Sequence, residues 1–497
     1  MIRQEINYGR NFFIRLSDYP LLFRMANRTF AYGYNIYRSM ILETEIDGLL
    51  YKLHIDEQVA IVKRYEENAT EIVIPKSFFH EGIVYEVTGI GLRAFSGCRS
   101  LTVITIPESV TSIEAHAFSN CSNLTTITIP ESVMIIRKGT FIGCSRLAAI
   151  NIPESVTNIE EDAFNGCNHL NSINIPQKIT SIGKRAFKEC YSLTAITLPE
   201  SVTEIGHEAF NGCSGELVVN CQISSASKAE DGTFYNGRFT KAIISNKITK
   251  IGKYAFSDCS SITNIAIPES ITNIEEGAFS GCSSLTNIII PESVTNIGEG
   301  AFYNCQCLKT ISLPKSVTTI KNFTFQDCYC LTDITIPESI TSIADWAFSG
   351  CKCLTSINIP KGVKNIGNGV FYECFQLVNI TIPENSQLTS IGGATFNSCY
   401  SLTDINVPEG VTSIGGWVFM NCESLKTFRI PKKTRKIEEH TFAGCSNLGH
   451  IVIPRSIEII ETLSFCGTGI TYLTIIGKPN IDCEAFTSCE KLTDIYC

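Results

Sequence analysis

The stretch Leu101-Thr-Val-Ile104-Thr-Ile106-Pro107-Glu-Ser-Val110-Thr-Ser-Ile113-Glu-Ala-His-Ala117-Phe118-Ser-Asn-Cys121 holds one structural unit, and the next begins at Leu124. Ile104 and Ile106 alternate with Val103 and Thr105, the period of a short strand with one buried face. Pro107 stops that strand, because it has no N–H for a ladder and a fixed φ. Val110 and Ile113 begin a second extended piece. Ala117, Phe118 and Cys121 then fall at i, i+1 and i+4, which predicts one helical turn.

The unit repeats. Pro107, Pro130, Pro153, Pro176 and Pro199 are 23 residues apart, and the spacing resumes from Pro268 to Pro383. Eighteen units are counted by their Phe, from Phe95 and Phe118 to Phe465 and Phe486. A unit this short cannot close a core, but stacking joins Ile to Ile and Phe to Phe along a shared apolar column. The expected fold is a repeat solenoid of short β-strands with one helical turn per 23-residue unit, as a single elongated domain. A length of 497 residues, which alone suggests about three globular domains, is overridden by the repeat.

The pattern Leu-x-x-Ile-x-Ile-Pro-x-x-Val-x-x-Ile-x-x-x-Ala-Phe-x-x-Cys resembles the Treponema-type leucine-rich repeat of BspA-like proteins. The resemblance runs from about residue 85 to 492. It implies a leucine-rich-repeat solenoid used in adhesion or protein recognition, commonly at a cell surface, and it implies no catalytic residues. The stretch from Ile46 to Pro75 resembles the irregular opening unit that often precedes such arrays.

The expected organisation is an irregular leader at 1–43, an N-terminal capping region at 44–90 and the repeat array at 91–497. The leader has Arg without Lys and many aromatics, and two readings stay open: a start codon assigned upstream of Met40, or a basic docking segment. No apolar run there looks like a secretory signal. Atypical units occupy about 214–254, where the pattern dissolves yet Phe210 and Phe256 stay two periods apart. Pro383 to Pro408 is 25 residues, which predicts a two-residue bulge. The chain ends at Leu492–Cys497, midway through a first strand, so the expectation there is a fragment or an edge that pairs with another copy.

Composition excludes several function classes. With 44% hydrophobic and 18% charged residues the chain is a folded protein rather than a disordered one. With 40 basic against 49 acidic residues it has no global positive field for nucleic acid. No stretch approaches the ~18–20 apolar residues of a membrane-spanning helix.

Sixteen of the 23 Cys stand three residues after a repeat Phe, from Cys98 to Cys489, and are expected as buried, reduced, small apolar fillers. Cys305/Cys307, Cys328/Cys330 and Cys351/Cys353 form Cys-x-Cys pairs in consecutive units. Clustered thiolates suit zinc or copper(I), but no His or carboxylate is fixed beside them, so no metal and no cofactor is assigned. The seven His are scattered over different repeat positions, and no catalytic motif appears. The Glu that follows each Pro, such as Glu108, Glu131 and Glu154, reads as a solvated ridge. An enzyme needs convergent, non-repeating polar groups. This chain reads as a non-enzyme.

Two features mark candidate partner-binding residues. The position two before each Phe varies widely, and there Tyr254, Phe323, Trp346 and Trp417 are candidate anchors. Against this stands packing of each ring on the neighbouring unit. The basic cluster Arg429, Lys432, Lys433, Arg435 and Lys436, in an otherwise acidic array, could meet an acidic partner. The function expected is a non-catalytic, adhesin-like module that presents an extended surface to a protein or glycan. The alternative is an intracellular scaffold or regulatory interaction protein using the same surface.

Overall fold

A computed structural model describes residues 5–8, 12–15, 41–65, 68–224 and 232–496. Most of the 1–43 leader and the polar run after Ser224 lie outside these residues. The chain forms two compact units, Met1–Gly215 and Glu216–Cys497. Their boundary falls in sequence where the repeat pattern dissolves.

The first unit opens with eight strands: β1 (Glu5–Tyr8), β2 (Phe12–Arg15), β3 (Ile41–Ile46), β4 (Leu49–His54), β5 (Val59–Tyr65), β6 (Glu71–Val73), β7 (Ser77–His80) and β8 (Ile83–Ile90). β1 and β2 form an antiparallel pair, and β3, β4 and β5 an antiparallel meander. β5 then takes β8 as a parallel neighbour, and β8 takes Ser112–Ile113. β6 pairs in parallel with Val103–Thr105. Both ladders of the repeat array thus start from strands within 41–90.

The rest of the unit is β-solenoid. First strands stack in parallel one repeat apart, as Ala149–Asn151 on Ser172–Asn174, and second strands do the same, as Asn158–Ile159 on Ser181–Ile182. The side chains that the sequence assigns to the core are buried: Ile104, Val110 and Ile113 are each 3% exposed or less, and Ala117, Phe118 and Cys121 are fully buried. Successive Phe rings stack nearly parallel, Phe95 on Phe118 at 5.3 Å and Phe164 on Phe187 at 5.2 Å.

The predicted helical turn is a correction. Among the described residues there is no helix. The segment around each Phe alternates two kinds of hydrogen bond instead. Ala117, Ser119 and Cys121 donate three residues back, to Glu114, His116 and Phe118. His116, Phe118 and Asn120 donate across to Lys138, Thr140 and Ile142 of the next unit. The i to i−4 bonds of an α-helix are never made, because every second N–H is spent between units. The conformation that permits this is left-handed two residues before and two after the Phe: φ is 57° at His116 and 58° at Asn120. Apolar spacing of i, i+1 and i+4 does not distinguish such a double turn from a helical one.

The second unit repeats this plan. Its Phe stack runs from Phe234 on Phe256 at 5.0 Å to Phe465 on Phe486 at 5.0 Å. Within the atypical stretch, Arg238–Ile244 is an unusually long strand paired with Asn264–Ala266. The two extra residues after Pro383 are absorbed in the turn, where Ser386 donates to the Pro383 carbonyl, and Ser390–Ile391 still pairs in register with Asn365–Ile366.

Candidate functional site

The position two before the repeat Phe is left-handed in unit after unit, which decides what can stand there. Gly139, Gly277, Gly300 and Gly369 adopt it freely, with φ between 56° and 59°. Tyr254, Phe323, Trp346 and Trp417 adopt it at φ of 55°, 56°, 58° and 66°, at a cost of about 1–2 kcal/mol each. Each backbone N–H is bonded forward, Trp346 to Asn368 at 2.8 Å and Trp417 to Glu439 at 2.9 Å, so the side chain projects from a fixed stem.

Those side chains fold over the next unit. A Cβ built on Gly369 would lie 2.5 Å from the Trp346 indole, and one on Gly277 would clash with the Tyr254 ring. Glycine in one unit makes room for the aromatic of the unit before it. The Tyr254 hydroxyl donates to Glu276 at 2.5 Å, and that bond pushes its pKa up to about 12. Trp346 also meets Tyr372 edge-on at 5.4 Å. Trp417 stacks on His440 at 4.7 Å and its indole N–H donates to Glu439 at 3.0 Å. It is still 40% exposed, whereas Tyr254, Phe323 and Trp346 are half-buried. In the other unit the same position holds Arg185, whose guanidinium bonds Asp162 twice at 2.8 Å. Burial works to raise the Asp162 pKa, but hydrogen bonds from Arg185 and Asn165 outweigh it and hold the carboxyl below its ordinary value.

The basic cluster is divided by the fold. Arg429 pairs with Glu409 at 2.8 Å, and the Lys432 backbone N–H donates to the same carboxylate at 2.8 Å. Arg435 pairs with Glu458, and Lys436 bridges Glu438 and Glu461 at 2.8 and 2.7 Å. Lys433 lies exposed between the two groups.

The column of Glu after Pro has a structural task. Glu108, Glu154, Glu292 and Glu409 each accept a backbone N–H from the residue one unit on, as in Glu292 to Lys315 at 3.0 Å. The cysteine column is likewise more than filler: its thiols donate to the carbonyl of the preceding unit's Phe, Cys121 to Phe95 at 3.1 Å and Cys328 to Phe302 at 3.3 Å. Burial pushes Cys259 and Cys305 up to about 12. Cys307 is exposed and Cys330 and Cys353 half-buried, and among the described residues no three metal-binding side chains converge. No described helix is long and apolar enough to cross a membrane.

A second column is invisible to a search for single anchors. One residue after the repeat Cys, where Ser260, Ser283 and Ser446 are usual, stand Tyr329, Lys352, Phe375 and Tyr400. The Lys352 ammonium lies 4.6 Å from the Tyr329 ring centre and 5.5 Å from that of Phe375, and Phe375 stacks on Tyr400 at 5.1 Å. Their faces are occupied by one another, so this column stiffens the stack.

A model of the BspA-type leucine-rich repeat region matches residues 88–216, 227–351, 318–434 and 385–493. Among solved structures, a leucine-rich repeat protein from Bacteroides ovatus is 26% identical, covering 91% of this chain and 94% of its own, with a TM-score of 0.42. A leucine-rich cell surface protein from Faecalibacterium prausnitzii is 25% identical with the same coverage and a TM-score of 0.34. The pneumococcal vaccine antigen PcpA is 17% identical over 88% of this chain and 98% of its own, with a TM-score of 0.36. No curated protein matches the chain.

Proposed function

From a chain that belongs to the BspA-type leucine-rich repeat family, we propose a non-catalytic, adhesin-like recognition protein that binds a protein or glycan through side chains carried on its repeat turns. The observation that supports it is the left-handed position two before the Phe in unit after unit, from Arg93 to Leu463. Its backbone is held by hydrogen bonds between units, so its side chain can vary without disturbing the core. In one unit it offers a 40% exposed Trp417. A rigid stem with an aromatic tip loses little freedom on binding, which is why such residues dominate interface energetics. The 44–90 region serves in this reading as the cap of the array, and Tyr254, Phe323, Trp346 and Trp417 as its anchors.

The experiment is binding of the purified protein to immobilised extracellular-matrix proteins and to a glycan array, beside a Trp346→Ala/Trp417→Ala variant. Saturable binding that falls at least tenfold in the variant, at an unchanged circular-dichroism spectrum, is the expected result. Binding unaffected by loss of both indoles would overturn the anchor assignment.

A further inference from the structure

The first-strand ladder of the second unit breaks between Asp333–Thr335 and Ser356–Asn358 and again at residues 428–430, and the second break has a local misfit beside it. In that ladder the inward position is Ile in Ile334, Ile357, Ile380, Ile405 and Ile451, but Phe in Phe428. The Phe428 ring lies against two rings of the Phe stack, 4.8 Å from Phe419 and 5.1 Å from Phe442, tilted by 53° and 57°, while those two stay stacked at 5.5 Å. A ring in a place that neighbouring units fill with a branched aliphatic strains the local packing. Asp404–Ile405 ends one three-stranded sheet, His450–Ile453 belongs to another, and between them only Thr427 keeps a bridge, to His450. Phe428, Arg429 and Ile430 belong to no strand. A small void of about 10 Å³ beneath Phe428 marks the same misfit from inside.

On the outer side of this stretch lies a cleft of about 620 Å³. Phe428 and Ile430 show on its floor, and Val452 and Ile476, 38% and 48% exposed, form its apolar side. Arg429 and Lys432 line it as well, with Lys433 adjacent in sequence and exposed. The acids present are Asp404 in the lining and Glu409, paired with Arg429. That ion pair is solvent-exposed, with side chains 72% and 46% accessible, so an incoming carboxylate can take the place of Glu409 at little cost.

We propose that this cleft binds an extended, acidic peptide segment of a partner protein, its carboxylates at Arg429 and Lys432 and its alternate apolar side chains against Val452 and Ile476. The occupant follows from charge complementarity and shape. Cations concentrate here in a chain of net charge −9, the cleft spans the first-strand segments 404–406, 427–430 and 450–452, and an extended chain presents alternate side chains to opposite sides. The inference rests on the recognition reading above and names a partner class for a different part of the surface.

The test is selection of random ten-residue peptides displayed on phage, against the full chain, Phe428→Ile and Arg429→Glu/Lys432→Glu. Enrichment by the wild type of peptides with Asp or Glu two residues from an aliphatic residue is expected. Synthetic peptides of that class should bind at least tenfold more weakly to both variants and more weakly as salt rises. Phe428→Ile retains every charge and should reshape the floor of the cleft, so it separates the cleft from a mere basic patch. The charge-reversal variant stands in if Phe428→Ile misfolds. Undiminished binding to Phe428→Ile with native circular dichroism, enrichment without acids, or no enrichment together with heparin binding that needs Arg429 would each overturn the proposal. Array binding unaffected by loss of Trp346 and Trp417 would instead fault the broader reading and leave the peptide result standing.

Discussion

The Cys328 thiol lies 3.3 Å from the carbonyl oxygen of Phe302, one unit earlier, with both residues fully buried. The carbonyl already accepts the Cys305 N–H from its own unit. A small apolar side chain with a weak donor therefore fits this position better than Ala, which has no donor, or Val, which has too much volume. Cys328→Ala should cost about 1 kcal/mol and Cys328→Val about 1–3 kcal/mol by overpacking. Urea denaturation measures both, and a neutral Cys328→Val would show the column to be loosely packed.

The same burial carries a pH dependence. Cys259 and Cys305 are pushed up to about 12, whereas an unfolded thiol titrates near 8.5. The folded chain holds these protons more tightly, so the contribution is complete below about pH 8.5 and declines as pH rises towards 12. Each thiol removes about 1.4 kcal/mol per pH unit within that window. Urea midpoints under reductant should fall steeply between pH 9 and pH 11, and the Cys259→Ala/Cys305→Ala variant should fall less steeply.

Thiol chemistry should follow position in the repeat. Iodoacetamide at pH 8 is expected to modify Cys307 and Cys483, which are exposed, and to spare Cys305, Cys328 and Cys351 until the chain is unfolded. Mass spectrometry of the native protein reads the sites directly. Equal labelling of Cys305 and Cys307 would contradict the burial.

Gly277 supplies a test of the left-handed position. Alanine there pays for φ of 58° and meets the Tyr254 ring, so Gly277→Ala should cost at least 2 kcal/mol. Adding Tyr254→Ala removes the clash but not the backbone strain. The double variant should recover part of the loss, and strict additivity in a double-mutant cycle would refute the contact.

The two Trp should differ in solvent contact. Trp417 is 40% exposed while Trp346 is half-buried over Gly369 and Tyr372, so acrylamide should quench Trp346→Phe, which retains Trp417, more strongly than Trp417→Phe.

Much of the fold was legible because the repeat states its own interior. Ile104, Val110, Ile113 and Phe118 recur at fixed spacing, and only stacking buries all of them at once. The conformation of the turn was not legible from that spacing, although Gly139, Gly277 and Gly369 before the Phe, and Asn120, Gly143 and Gly166 after it, carried a signal for positive φ. The candidate anchors were found by position, but their contacts were not. Whether Trp346 packs or projects depends on Gly369 in the following unit, and a single repeat does not contain its neighbour.

The amino-acid sequence by itself determined the stacked β-repeat, the buried Phe and Cys columns and the places where the pattern changes, because periodic burial admits one arrangement of identical short units. Tertiary structure alone decided that the turns are left-handed rather than helical, and that Arg429 and Lys432 stand apart from Arg435 and Lys436. It also decided that Phe428 lines a cleft beside Arg429 and Lys432. Each of these is set by the hydrogen bonds and ring contacts between one unit and the next, where backbone strain, packing volume and pairing compete across residues about 23 positions apart.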